Sequence, residues 1–155
     1  MKMLFLGGIF SKEKEEEIFR KSKSVIQYAA NTFQWNLING FINNDKTNIE
    51  ILSAPFVGTY PNDYDDLFIK PFSALYKNKI KSNYISFCNL WGFRNISRKN
   101  SLKKSISDFI LERDNIKVIV VYSAHTSFFR SCNLCKARRP CDTHLFNCYG
   151  ICLNS

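Results

Sequence analysis

The side chains best suited to chemistry lie late in the chain, as Cys132-x2-Cys135-x5-Cys141-x2-His144-x3-Cys148-x3-Cys152. Two close ligand pairs separated by a loop are the usual way for thiolates and imidazole to converge tetrahedrally on zinc. Lys136, Arg138 and Arg139 beside them would suit a phosphate backbone. One candidate is therefore a zinc-knuckle-like, nucleic-acid-binding module over 132–152. A second group is Gly7-Gly8, directly after an apolar run. Glycine permits positive φ and close backbone approach, so amides there could face a diphosphate, although a plain tight turn uses the same pair. Asn31 and Gln34 stand three apart on a helical stretch and could present their amides to one side, to the hydroxyls of a ligand or to solvent. His125 falls just past a second apolar run, where it could enter a cleft or cap a strand end. Asp63, Asp65 and Asp66 cluster in a Tyr-rich loop. They could form a catalytic carboxylate pair, but a solvated loop is the expectation.

The elements that must position these groups follow from hydrophobic patterning. Lys2–Leu6 predicts a buried first strand, and Gly7-Gly8 the turn after it. Residues 11–24 are charged and predict an exposed loop or frayed helix. Val25–Phe41 predicts the strongest helix, with Val25, Tyr28, Ala29, Thr32-Phe33, Asn36-Leu37 and Gly40 at three- and four-residue steps. In it Tyr28, Phe33 and Trp35 are expected to pack rather than to form a sugar platform. Asn48–Ser53 predicts a second strand, closed by Pro55. A loop is predicted from Gly58 to Pro71, and Phe72–Lys81 is left unassigned. Tyr84–Asn89 predicts a third strand, Leu90–Lys99 a loop, and Ser101–Arg113 a helix capped by Asn100 or Ser101 with Leu102, Ile106, Phe109 and Ile110 as its stripe. Lys117–Tyr122 is apolar throughout, as in a strand buried on both faces. This alternation predicts an α/β domain with a parallel sheet, whose ligands bind at the carboxyl ends of the strands.

Composition sets the outer bounds. The chain has 155 residues, enough for one domain and too few for two ordinary ones. At 45% hydrophobic and 23% charged, it is neither wholly disordered nor collagenous. The formal net charge of +9 comes from scattered residues with no run of five, and abundant Lys, Asn and Ile point to an A/T-rich genome. Lys12, Lys14, Lys21 and Lys23 could touch an anionic lipid surface, but Glu13 and Glu15–Glu17 largely cancel them. The charged segment after Phe10, with no small-x-small cleavage site, argues against a signal peptide and for a cytoplasmic protein.

Taken together, Leu4–Phe10, Gln27–Trp35, Ile51–Phe56 and Val121–Thr126 resemble the amino-terminal domain of bacterial family 4 glycosyltransferases over about residues 1–130. The resemblance implies a GT-B fold, in which two Rossmann-like domains face each other across a cleft. It also implies a retaining transfer of sugar from a nucleotide-sugar donor to a glycan or lipid-linked acceptor, usually without a metal or other cofactor. The amino-terminal domain mainly holds the acceptor. The donor nucleotide and a glutamate motif belong to the second domain, which this sequence is expected to lack, so the chain alone is expected to be inactive. The histidine matching His125 approaches the transferred sugar. No nucleic acid enters this reading, and a peripheral contact at the inner face of the membrane is compatible with it.

Residues 131–155 then admit another account. Cysteine codons read one base later begin GU or GC, which encode only Val or Ala. Asn, Asp and His codons likewise give mainly Ile or Thr. From Cys132 the shifted reading can give a helix continuing from Phe128-Phe129-Arg130, and from Leu145 through Cys148 it can give Leu-Ile-Val, a buried strand. A frameshifted tail without regular structure is therefore favoured over the zinc module, and it would leave a sheet edge uncovered. The expected outcome is that purified protein carries no stoichiometric zinc. Elemental analysis showing one tightly held zinc per chain, lost in Cys132→Ser, would reverse the ranking.

Overall fold

The computed structural model describes residues 2–44, 48–77, 80–111, 117–122 and 151–154. Its elements run β1 (Lys2–Gly7), α1 (Lys12–Lys21), α2 (Tyr28–Asn44), β2 (Asn48–Ser53), β3 (Phe68–Ile69), β4 (Phe72–Tyr76), β5 (Ile80–Tyr84), β6 (Phe87–Cys88), α3 (Arg94–Leu111), β7 (Lys117–Val121) and β8 (Ile151–Asn154). The main sheet has the order β4-β5-β2-β1-β7-β8. Its central strands β5, β2, β1 and β7 are parallel, while β4 and β8 pair antiparallel at the two edges. The chain forms the expected α/β domain with flanking helices, and its sheet is mostly parallel rather than wholly so. β3 and β6 make a separate two-stranded ribbon.

The period-2 alternation of the strands sorts the core into two layers. Leu4, Leu6, Leu52, Ile119 and Val121 face one side, against Ile18 of α1 and Leu102, Ile106 and Phe109 of α3. Met3, Phe5, Ile49, Ile51, Val118 and Val120 face the other, against Ile38 of α2. All six residues of β1 are buried, because it is the strand covered on both faces and flanked on both edges.

The structure redraws several predicted boundaries. Residues 12–21 form a full helix, held by Ile18 in the core and by ion pairs from Glu17 to Lys14 and Lys21 on its outer side. α2 begins at Tyr28, with Val25 92% exposed before it. Its inward face is Gln34 and Ile38, both fully buried, whereas Phe33 of the predicted stripe is 47% exposed. Two amides take inward positions there, so an apolar periodicity could not find that face. The third parallel strand is Ile80–Tyr84 rather than Tyr84–Asn89, with Ile80, Ser82 and Tyr84 alternating inward. α3 starts at Arg94, inside the predicted loop, because Arg98 is buried in line with Leu102 and Ile106. Ser101 is consequently mid-helix and donates to the Ser86 carbonyl at 2.7 Å instead of capping. The tail, predicted without regular structure, contributes the backbone of β8. That strand pairs with the outer edge of β7, whose free N–H and C=O groups favour such capture.

The assignment of the α2 faces gives a direct test. Ile38→Ala should cost ~2–5 kcal/mol, as expected for a buried branched side chain. Phe33→Ala should cost less than ~1 kcal/mol, because half of that ring is already in solvent. Urea unfolding of the two variants separates them, and equal losses would contradict the orientation.

Candidate functional site

The carboxyl end of β1 is where the chain is most tightly constrained. A Cβ on Gly7 would lie 2.3 Å from Gln34 Oε1, and one on Gly8 would lie 2.3 Å from the Phe56 ring. The two glycines thus serve close approach. Their φ angles are not in the positive region, which among the described glycines holds only Gly92. The polar groups of the following loop are taken up by side chains. Gly8 N–H donates to Gln34 Oε1 at 3.0 Å, and Phe10 N–H donates to Asn31 Oδ1 at 2.9 Å. The Trp35 indole N–H donates to the Phe10 carbonyl at 3.1 Å, and the Ser53 hydroxyl donates to the Ile9 carbonyl. Gln34 Nε2 donates back to the Ala30 carbonyl.

This placement corrects two expectations. The Gly8 amide, expected to face a diphosphate, is occupied by Gln34. The Asn31 and Gln34 amides, expected to point together at acceptor hydroxyls or at solvent, turn inward onto the loop backbone, because buried amides need partners. Gly7, Gly8, Asn31 and Gln34 are brought together, as the builders of the loop. His125 lies outside the described residues, as do Cys132, Cys135, Cys141, His144 and Cys148.

The loop so built walls a cavity of about 420 Å³, in the size range of small-molecule sites. Phe10 after β1, Pro55 and Val57 after β2, and Tyr84 at the end of β5 form its floor. α1 supplies Lys14, Glu17 and Lys21, and the 60–72 segment supplies Tyr60, Tyr64, Phe68 and Phe72. Aromatic faces with polar tips suit a ligand carrying both apolar faces and hydroxyl edges.

The charges in this cavity largely cancel. Lys21 Nζ binds Glu17 at 2.6 Å and Asp66 at 2.7 Å, while Lys14 binds the other Glu17 oxygen. Hydrogen bonds from Lys14 and Lys21 hold the Glu17 carboxyl down to about 2. The same kind of bond, first from Asp66 and then from Glu17, raises Lys21. Burial pushes Tyr64 and Tyr84 up to about 12. A carboxylate so stabilised is a poor proton acceptor at neutral pH, and these phenols are poor donors.

The aspartate cluster is dispersed by the fold. Asp63 accepts from Thr59, Asp65 pairs with Lys23 at 2.6 Å, and Asp66 pairs with Lys21. These contacts fix the loop and form no carboxylate pair. Among the described residues no group of three His, Cys, Asp or Glu side chains could hold a metal ion. Of the lysines considered for a lipid surface, Lys14, Lys21 and Lys23 are in ion pairs. No helix among the described residues is long and apolar enough to cross a membrane.

Sequence reasoning missed the aromatic wall, because Tyr60, Tyr64 and Phe68 sit in a segment read only as a loop. Their recurrence at four-residue steps between Pro55 and Pro71 is the signal that was present. No family model, curated protein or solved structure matches this chain.

If Gln34 holds the glycine turn, Gln34→Leu leaves the Gly8 N–H buried without an acceptor. The expected cost is ~1–3 kcal/mol, read from chemical denaturation. Wild-type stability in that variant would mean that the turn is held by other groups.

Proposed function

We propose that this chain is the acceptor-side, Rossmann-like domain of a glycosyltransferase with GT-B architecture, resembling family 4. The reaction is transfer of a sugar from a nucleotide-sugar donor to a glycan or lipid-linked acceptor at the cytoplasmic face of the membrane. The observation that carries this reading is the aromatic cavity over the carboxyl ends of β1, β2 and β5, beside the Gly7-Gly8 turn. The parallel order β5-β2-β1-β7, a 3-2-1-4 arrangement, supports it, because such sheets bind ligands at that end. The charge cancellation around Glu17 also fits a neutral, hydroxyl-rich acceptor better than an anionic one.

In this reading Tyr60, Tyr64, Phe68 and Phe72 stack on and surround the acceptor ring, and Lys21 and Asp66 offer hydrogen bonds at its edge. Gln34 and Asn31 act at one remove, by fixing the loop that carries Phe10. His125 contributes a polar contact to the transferred sugar in the transition state. The donor and the catalytic cleft require the second domain of such enzymes, because both substrates must be held in one geometry.

The test is saccharide binding by the purified chain, followed by saturation-transfer NMR across neutral mono- and disaccharides. Binding should weaken roughly 2- to 10-fold in Phe68→Ala, the ~0.5–1.5 kcal/mol of one aromatic contact. Phe68 is 63% exposed, so the variant should fold normally. The chain alone should transfer no sugar from any nucleotide sugar. Turnover without a second domain, or no saccharide binding at millimolar concentration, would overturn the proposal.

A further inference from the structure

A second cavity, of about 340 Å³, lies between the segment joining α1 to α2, the segment after β2, and the first turns of α3. Its lining includes Ser24, Gln27, Thr59, Asp63, Arg94 and Arg98. Arg98 is the largest fully buried side chain among the described residues, at 2% exposure. Buried guanidinium groups are ordinarily matched by a carboxylate, because an unpaired charge in a low-dielectric interior is costly. Among the described residues Arg98 has no carboxylate within ion-pair distance. One terminal nitrogen, Nη2, donates to the Pro55 carbonyl at 2.8 Å, its guanidinium carbon lies 4.3 Å from the centre of the Phe87 ring, and Nε has no acceptor.

Arg94, one helical turn earlier, donates to the Val57 carbonyl at 3.0 Å. Among the described residues, the single carboxylate lining the cavity, Asp63, accepts from the Thr59 hydroxyl at 2.7 Å and from the Thr59 N–H at 3.4 Å. The cavity therefore carries two guanidinium groups against one carboxylate that is already engaged, a surplus of one positive charge with an open N–H donor beside it. Burial, and then the neighbouring Arg94, draws Arg98 down to about 9, which agrees with a cation lacking its counter-charge.

We propose that this cavity is a binding site for an oxyanion of the phosphate class, held by Arg94 and Arg98. Guanidinium forks bind such oxygens with directed, charge-assisted hydrogen bonds. Arg98 Nε supplies a donor that no described residue uses, and Arg94 supplies a second cation from the same helix face. Thr59, Ser24 and Gln27 offer neutral groups to the remainder of a small phosphoester. The proposal rests on this cavity alone and stands apart from the glycosyltransferase reading.

The experiment uses the full chain and inorganic phosphate, with methyl phosphate and acetate as separate arms and chloride matched for ionic strength. Calorimetric titration and thermal melts should show saturable phosphate binding that raises the melting temperature. Methyl phosphate should act likewise, and acetate should act no more than chloride does. Arg94→Gln and Arg98→Lys should each weaken phosphate binding by roughly tenfold or more, the loss of a charge-assisted bond or of the fork geometry. Circular dichroism confirms that each variant is folded. If Arg98→Lys does not fold, Arg94→Gln, at a partly exposed position on the rim, decides alone. No saturable binding, equal stabilisation by acetate, or phosphate binding that survives Arg94→Gln unchanged would each overturn the site and leave Arg98 as a packing residue on Phe87.

Discussion

The contact on which the rest of the structure depends is the close approach of α2 to the end of β1, sealed by the buried bond from Gly8 N–H to Gln34 Oε1. Neither glycine accepts a Cβ without a shift: side-chain atoms of Gln34 and Phe56 occupy the places where Cβ atoms of Gly7 and Gly8 would stand. Three residues of one helix face then serve the backbone of the loop. Gln34 takes the Gly8 amide, Asn31 takes the Phe10 amide, and Trp35 donates to the Phe10 carbonyl. Each such bond contributes only about 1 kcal/mol net, but an unmet buried amide costs as much or more. The helix and the loop therefore stabilise one another. The Phe10 ring, the corner shared by the aromatic cavity and the core, is placed as a result.

The same constraint explains what could be read in the sequence and what could not. β1, β2 and β7 were legible because buried parallel strands leave runs with little polar content, such as Met3–Leu6 and Val118–Val121. The α/β alternation followed from them. α2 was legible as a helix but not in its orientation, since one of its two fully buried positions is Gln34 and periodicity counts an amide as outward. α3 was cut short for a related reason. Arg98 continues the Leu102–Ile106–Phe109 stripe by one turn, and a buried arginine is invisible to a hydrophobic pattern. At both places a polar side chain took a core position because the backbone or a cavity there gave it a partner or a use. Gly7-Gly8 stood out by following an apolar run, and Asn31 with Gln34 by helical spacing, as two separate pairs. The contacts themselves, amide on amide, are tertiary facts that no spacing rule contains.

Topology fixes where a ligand can go. β1 has β2 on one edge and β7 on the other, and the helices that lead to those two neighbours lie on opposite faces of the sheet: α2 with the Met3 and Phe5 side, α3 with the Leu4 and Leu6 side. Where successive connections leave in opposite directions, the loops at the carboxyl ends diverge and open a crevice. The Gly7-Gly8 turn stands at that point. Its backbone is saturated by side chains, so the groups left to face the cavity come from α1 and from the 60–72 segment, which the Lys21–Asp66 ion pair ties to each other.

That division has an electrostatic consequence. In the aromatic cavity every described ion pair closes on itself: Lys14 and Lys21 share Glu17, and Lys21 also holds Asp66. The polar groups that Glu17 and the two lysines present there are already matched to one another. In the neighbouring cavity the pairing is left open at Arg98, which among the described residues has one backbone carbonyl and a ring face to offset its charge. A single carboxylate at that position would have neutralised the arginine within the fold, as Glu17 neutralises the lysines of α1. Pro55 and Val57 border the aromatic cavity, and their carbonyls receive Arg98 and Arg94 from the other side. The two cavities therefore share one stretch of backbone as their wall, so a charge bound behind it would be felt through the same carbonyl dipoles that help shape the floor in front.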